Sequence, residues 1–477
     1  MSAAGRLATA DAGVKGTLAA LEQRLVRVAV DMKPQEVSNT AYGFALLGRE
    51  PGVETRAALE VAVAQQARDM KPQEVSNTSW AFATLRLTPG AETRAALEAA
   101  VVRVAPSMEP QHAANTTWSF ATLGLMPGVE ARAVLEAAVV RVGPDMVPQA
   151  VSNTAWSFAT LGLKPGAATQ VALEVAVVRV GPDMVPQAVS STAWSFATLG
   201  SMPGAEVRAA LEAAVVRVGP GMNAQGVANT VHAYATLGLT PGGEARAALE
   251  AVVVRVGPSM TPQAVANTLW SFPAMAATRS LPLPACYPSL WRLAHGLDVG
   301  SLKDVHLRMM FHAHLMLTEP VGGNVRDEVT FPEWIMLEAR EAWMRQVRDD
   351  VTVSSDHKKI AKIIGDLGVR HEVERLSDDG YFSIDVFLLD NNVAIEFDGP
   401  THFNNTSDGG EGGAPGGASH TTKRPSTELR DMFLGRRYRT VLSMPWFEWA
   451  ELNDKGAAEK KVFVAEKLRS VGVSVPA

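Results

Sequence analysis

A 38-residue unit repeats seven times without insertion across the first 280 residues. An asparagine or its stand-in recurs at Asn39, Asn77, Asn115, Asn153, Ser191, Asn229 and Asn267. Three residues later comes a ring at Tyr42, Trp80, Trp118, Trp156, Trp194, His232 and Trp270. A second ring, two further on, runs from Phe44 through Phe82, Phe120, Phe158, Phe196 and Tyr234 to Phe272. Self-similarity at a fixed period demands supersecondary units that bury their apolar faces only against neighbours. The expected fold is therefore a solenoid, whose surface suits a long ligand: a peptide or a nucleic-acid strand.

Each unit reads as a helical hairpin. In the second, Pro72 opens a helix, Thr88-Pro89-Gly90 breaks the pattern, and Ala91 begins a second helix that runs through Val104. Proline at the start and Pro-Gly in the break are the expected punctuation. An N-terminal tail (1–15) precedes the all-α array (16–280), in which Gly16 to Met32 reads as the second half of a unit. Pro273 falls just after Phe272 and breaks the pattern, so the array is expected to end near 280. A helical connector (281–350) follows, expected to extend the stack.

At about 100° per residue the first helix carries two opposed stripes. Val75, Phe82 and Leu85 form an apolar one; Gln73, Asn77, Trp80 and Thr84 form the other. Amides beside an indole can bond and stack unpaired bases. The RNA-binding candidates in the array are Asn77, Trp80, Asn115, Trp118, Asn153, Trp156, Trp194 and Trp270. The alternative is a structural Asn–Trp ladder between units. Base discrimination would need positions that vary. These are the residue after the glutamine (Glu36, Glu74, His112, then Ala150, Ala188, Gly226, Ala264) and the one before the first ring, mostly small. A late arginine of the second helix (Arg27, Arg103, Arg141, Arg179, Arg217, Arg255) could touch phosphates, or pair with a Glu or Asp of its own or an adjacent unit.

Charge narrows the classes. Residues 1–280 carry 21 Lys and Arg against 21 Asp and Glu, and the remainder carries 23 against 29, giving −6 overall. That balance disfavours tight, non-specific phosphate binding and leaves room for stacking-dominated single-strand recognition. The one cysteine, Cys286, excludes a disulfide frame and a cysteine-based zinc site. No apolar run approaches the roughly 18 residues of a membrane span. The opening MSAAGRLATADAG is poor in acid and lacks the apolar core of a secretory signal.

From 356 the rhythm changes. A helix (358–367) precedes strand-like runs at 370–375, 381–388 and 393–397. A Gly/Ser-rich insert (404–421) follows, then a helix at 427–437, a strand at 438–443 and a last helix near 456–470. An α-β-β-β-α-β-α order over 356–472 results, with a small α/β domain as its expected fold. With Asp390-Asn391 as hairpin tip, Asp385 lies opposite Glu396, and Asp398 shares their face by period-two alternation. Three carboxylates on one face repel unless a cation neutralises them, as a Mg²⁺ site for phosphodiester hydrolysis would. Asp385, Glu396 and Asp398 are thus candidate metal ligands and catalytic groups. His402, Lys423, Arg424, Arg430, Arg436, Arg437 and Arg439 form the only local concentration of positive charge, a candidate phosphate grip.

Residues 394–450, with Ala394-Ile395-Glu396-Phe397-Asp398-Gly399-Pro400-Thr401-His402-Phe403 and Thr440-Val441-Leu442-Ser443-Met444-Pro445-Trp446-Phe447-Glu448-Trp449, closely resemble the RAP domain. Its core motif would span 393–452. That module occurs in organellar RNA-processing factors and resembles the restriction-endonuclease-like fold. The nuclease family's lysine would fall at 398, where this chain has Asp398, so a cation from another element such as Arg430 would have to substitute. The Pro-Gln-x-Val-x-Asn-Thr-x-Trp units resemble octotricopeptide-type repeats. Together the resemblances imply a chloroplast or mitochondrial protein that binds single-stranded RNA, alongside ribonucleoprotein or processing factors, and acts in RNA processing, stability or translation. Two alternatives stand beside that expectation: a Mg²⁺-dependent RNA endonuclease, and a protein-binding scaffold of the armadillo or HEAT kind.

Overall fold

The computed structural model describes residue 17 and residues 19–318, 333–349, 355–406 and 422–475. They fall into two compact units, Met1–Ser195 and Phe196–Ala477, so the division lies inside the repeat array rather than at its end.

In the first unit the hairpins pair Pro34–Leu46 with Val53–Gln66, Pro72–Thr84 with Ala91–Val104, Pro110–Leu123 with Val129–Val142, and Pro148–Thr160 with Ala167–Val180. First helices pack on first helices and second on second, in succession. The Val75 and Phe82 stripe is buried as expected. After each second helix the backbone tightens into one 3-10 turn, such as Ala105–Ser107, Gly143–Asp145 and Gly181–Asp183. Pro106, Pro144 and Pro182 lack the N–H that would continue the α-helix. Each turn delivers a methionine to the core: Met70, Met108, Met146 and Met184 are all fully buried.

Two polar joints connect successive hairpins. A glycine N-cap has no side chain to satisfy the first N–H groups of a helix. Here the preceding hairpin supplies the acceptor: Gly90 N–H donates to Glu60 Oε2 at 2.7 Å, and Gly166 N–H to Glu136 Oε2 at 2.7 Å. The other oxygen of Glu60 accepts from Arg56, whose Nη2 reaches on to the Thr88 carbonyl at 2.7 Å. The second joint uses the late arginines, and it corrects the expected acidic pairing. Arg103 Nη2 donates to the carbonyls of Ala67 (3.0 Å) and Met70 (2.6 Å), and Arg141 to those of Ala105 and Met108. The carbonyls left open at the helix end outcompete solvated acids for the guanidinium.

In the second unit the array continues through Ala205–Val218, Ala224–Leu237, Gly243–Val256 and Pro262–Arg279. Pro273 does not end that last helix, which runs six residues further to Arg279 and closes at Ser280 with φ +54°. Removing one N–H costs one hydrogen bond, and the surrounding burial holds the helix together. The connector helix Asp304–Thr318 packs on Pro262–Arg279, and Glu333–Asp349 packs on it in turn.

The C-terminal domain follows the expected order with shifts of one to three residues at most ends: α1 (Ser355–Asp366), β1 (His371–Leu376), β2 (Ser383–Leu388), β3 (Val393–Asp398), α2 (Pro425–Arg437), β4 (Thr440–Pro445) and α3 (Ala457–Ser470). The sheet order is β1-β2-β3-β4, antiparallel up to β3 and parallel between β3 and β4. Ile364, Val386, Leu388, Ile395, Met444, Trp449 and Val464 fill the core between sheet and helices. Asn404 is buried, and Asn405–Thr406 pairs in parallel with Ser201–Met202. Residues 407–421 lie outside the described residues.

Candidate nucleic-acid interface and carboxylate centre

Burial splits the first-helix face of each hairpin. Gln73, Gln111, Gln149 and Gln187 are exposed, while Asn77, Asn115, Asn153, Trp80, Trp118, Trp156 and Trp194 are half-buried. The side-chain amides of Asn77, Asn115 and Asn153 make no hydrogen bond among the described residues, so no Asn ladder runs between these units. Tyr42 and Trp80 approach at 5.1 Å between ring centroids, with planes tilted by 42°. The result is a stripe of amides and ring edges open on one side. Unit seven differs: Asn267 and Trp270 are buried, and Trp270 Nε1–H donates to His312 Nδ1 at 3.1 Å. Burial pushes the His312 imidazole down to about 4, which keeps it a neutral acceptor.

The varying positions have other duties. Glu36 Oε2 accepts the Lys33 N–H at 2.8 Å, Glu74 Oε2 the Lys71 N–H at 2.7 Å, and His112 Nδ1 the Glu109 N–H at 3.3 Å. They close capping boxes. The residues before the first ring, Ser79, Thr117, Ala155 and Ala193 among them, are buried. The second set is closed to a ligand, while Glu36 stays exposed and Glu74 and His112 half-buried beside the stripe.

In the C-terminal domain the registers Val386↔Ile395 and Leu388↔Val393 place Asp385 across from Glu396, and Glu396 and Asp398 are both buried on β3. A guanidinium sits against them. Arg430 on α2 lies 3.0 Å from Glu396 Oε2 and donates to Asp398 Oδ1 at 2.7 Å. Lys423 bridges Asp398 Oδ2 (2.7 Å) and Asp431 (2.6 Å), His402 Nδ1 lies 3.3 Å from Asp398, and Ser443 Oγ donates to it. Burial alone would raise the Asp398 carboxyl. Bonds from His402, Lys423 and Ser443, with the Arg430 charge, outweigh it and hold the group well below the carboxylate range. Glu396 goes the other way: burial dominates Arg430's attraction, neighbouring acids add to it, and its carboxyl is raised well above the ordinary value. Neither Glu396 oxygen has a well-aligned donor, despite the short approach to Arg430.

Most of the expected phosphate grip is engaged internally. Arg437 Nε donates to Asp379 at 2.6 Å, Arg424 Nε to the Phe403 carbonyl at 3.3 Å, and Arg436 lies over the Phe433 ring. The domain also grips the last array helices. Arg279 donates to Glu428 at 2.8 Å and to the Gly238 carbonyl at 2.6 Å, and Asn404 Nδ2 donates to the Leu237 carbonyl at 3.2 Å. Arg424 packs against Gly200, whose φ of +62° and missing Cβ make room for it.

Asp385 has further neighbours of its own. Its Oδ1 lies 4.0 Å from Nδ1 of the buried His357 on α1, and Glu374 Oε1 of β1 lies 3.2 Å from the same atom. Sequence reading missed both residues. The signal available was the β1–β2 hairpin: its Asp378-Asp379-Gly380 turn sets Glu374 across from Asp385.

An array of helical hairpins joined to a small mixed-sheet domain is the class that this geometry defines. Residues 395–467 match the RAP domain family, and residues 2–88 match the family of the Tbc2 translation factor N-terminal domain. No curated protein matches the chain. No helix among the described residues is long and apolar enough to cross a membrane.

Proposed function

We propose that this protein binds single-stranded RNA along its first-helix stripe and acts in the processing, stability or translation of chloroplast or mitochondrial transcripts. The observation that carries this reading is the stripe itself: Asn77, Asn115 and Asn153 keep their amides unengaged beside half-buried indoles. Stacking plus amide bonding suits unpaired bases and needs little net positive charge, in keeping with a neutral array. The RAP match and the Tbc2 translation-factor match supply the RNA and organellar context. The units are read as octotricopeptide-type repeats on their sequence alone.

In this reading Glu396 and Asp398 form a structural ion cluster with Arg430 and Lys423. Metal-dependent RNA cleavage lost in Asp385→Asn, with folding intact, would instead establish the endonuclease. The test is selection from a random single-stranded RNA pool at physiological salt. An enriched motif is expected, at about one base for each unit other than the seventh, whose Asn267 and Trp270 are buried. Trp118→Ala should weaken its binding by about 1–3 kcal/mol, the worth of one stacked base. No enrichment, or a Trp118→Ala affinity equal to wild type, overturns the reading and favours a protein-binding scaffold.

A further inference from the structure

We propose that His357, Glu374 and Asp385 form a binding site for one divalent transition-metal ion of the Mn²⁺ or Zn²⁺ class, independent of the RNA reading. Three elements of the C-terminal domain converge here: α1 brings the histidine, β1 and β2 a carboxylate each. The three ligand atoms lie within 4.8 Å of one another, with His357 Nδ1 at 3.2 Å from Glu374 Oε1 and 4.0 Å from Asp385 Oδ1. An ion about 2.1 Å from each needs only small side-chain adjustments to fit between them.

The far side of each ligand is fixed. His357 Nε2 lies 2.7 Å from the Asp385 backbone carbonyl, which can only accept, so Nε2 carries the proton. With Nδ1 unprotonated, its lone pair is aimed at two carboxylates. Glu374 Oε2 accepts from Ser383 Oγ at 3.1 Å, and Asp385 Oδ2 accepts the Phe397 N–H at 2.6 Å. Metal ligands are characteristically oriented by such outer hydrogen bonds. Three lone-pair atoms pointed at one another need a cation between them: a proton on Nδ1 or a metal ion. Glu374 and Asp385 keep partial access to solvent, which leaves a route in and room for water ligands. Imidazole with two carboxylates is a donor set suited to Mn²⁺ or Zn²⁺ rather than to a Mg²⁺ that prefers oxygen alone.

The full-length protein, stripped with chelator, would be titrated with Mn²⁺ followed by the loss of its free-ion EPR signal, and with Zn²⁺ by equilibrium dialysis. One ion per chain is expected, with ¹⁴N coupling from an imidazole in the bound Mn²⁺ spectrum. Glu374→Gln should weaken binding at least tenfold while apo-protein circular dichroism stays unchanged, and Ser383→Ala should weaken it by about 10–100-fold. No saturable binding of either ion, no ¹⁴N coupling, or equal affinity in Glu374→Gln would overturn the site and leave a protonated His357 paired with Glu374.

Discussion

The array and the C-terminal domain solve the same problem, satisfying polar groups beside an apolar core, in opposite ways. The array spreads the work over small repeated joints: Glu60, Glu98 and Glu136 each cap the next hairpin, and Arg103 and Arg141 each close a turn behind them. The C-terminal domain concentrates it in one centre, where Arg430 and Lys423 meet Glu396, Asp398 and Asp431. Repeated joints are nearest-neighbour terms and should add. A shared buried ion cluster is a network whose members depend on one another. Loss of one joint therefore loosens a neighbour, while loss of one charge strands the rest.

The largest effect is expected at Asp398. Asp398→Asn leaves Arg430 and Lys423 short of their buried counter-ion and should destabilise the domain by about 3–5 kcal/mol at pH 7. Hydrogen-exchange protection of the β3 and β4 amides would read it. The sign with pH follows from the depressed folded value. Stability from this group is present above its unfolded value of 3.8 and is lost as pH falls through the folded one, so the gap to wild type stays open down to that acid limit. A gap that closes already near pH 6 would break the comparison, because the centre would then be held by groups titrating near neutrality.

A middle-sized effect belongs to the array. Glu98→Ala removes the acceptor of the Gly128 N–H, a cap in trans worth about 0.5–2 kcal/mol. Combined with Glu60→Ala and Glu136→Ala, the losses in denaturant unfolding should sum to within about 0.5 kcal/mol per added site. A clear excess over additivity would mean that the array, too, behaves as one network.

Legibility differed between the regions for the same physical reason. A repeat writes its local rules seven times, so hairpins, breaks and the buried Val75 and Phe82 stripe could be read directly. In the C-terminal domain, period-two alternation and one hairpin tip placed Asp385, Glu396 and Asp398, and Arg430 does lie against the last two. What stayed hidden was tertiary. Nothing local says that Arg279, just past the last repeat's rings at Trp270 and Phe272, will reach Glu428 across 149 positions of sequence. The same holds for His357, whose meeting with Glu374 depends on how α1 packs over the sheet. The late arginines were misread because charge pattern favours acids, whereas the competing partners were backbone carbonyls that sequence does not display.

The smallest effect carries the opposite sign. First helices close on a left-handed residue, and glycine fills that place at Gly48, Gly124, Gly162, Gly200 and Gly238, with φ between +59° and +67°. In the second 38-residue repeat Arg86 takes it, at φ +55°. A side chain in that region costs about 1 kcal/mol relative to glycine, because Cβ crowds the following carbonyl. Glycine gives part of this back by loosening the unfolded chain. Arg86→Gly should therefore raise stability by about 0.5–1 kcal/mol, seen as a small upward shift in the denaturation midpoint with unchanged slope. Arg86 is exposed, so the substitution removes no burial that would mask the gain. A fall in stability would show that this unit departs from its neighbours in more than its backbone angle, and that the joints of the array are not equivalent after all.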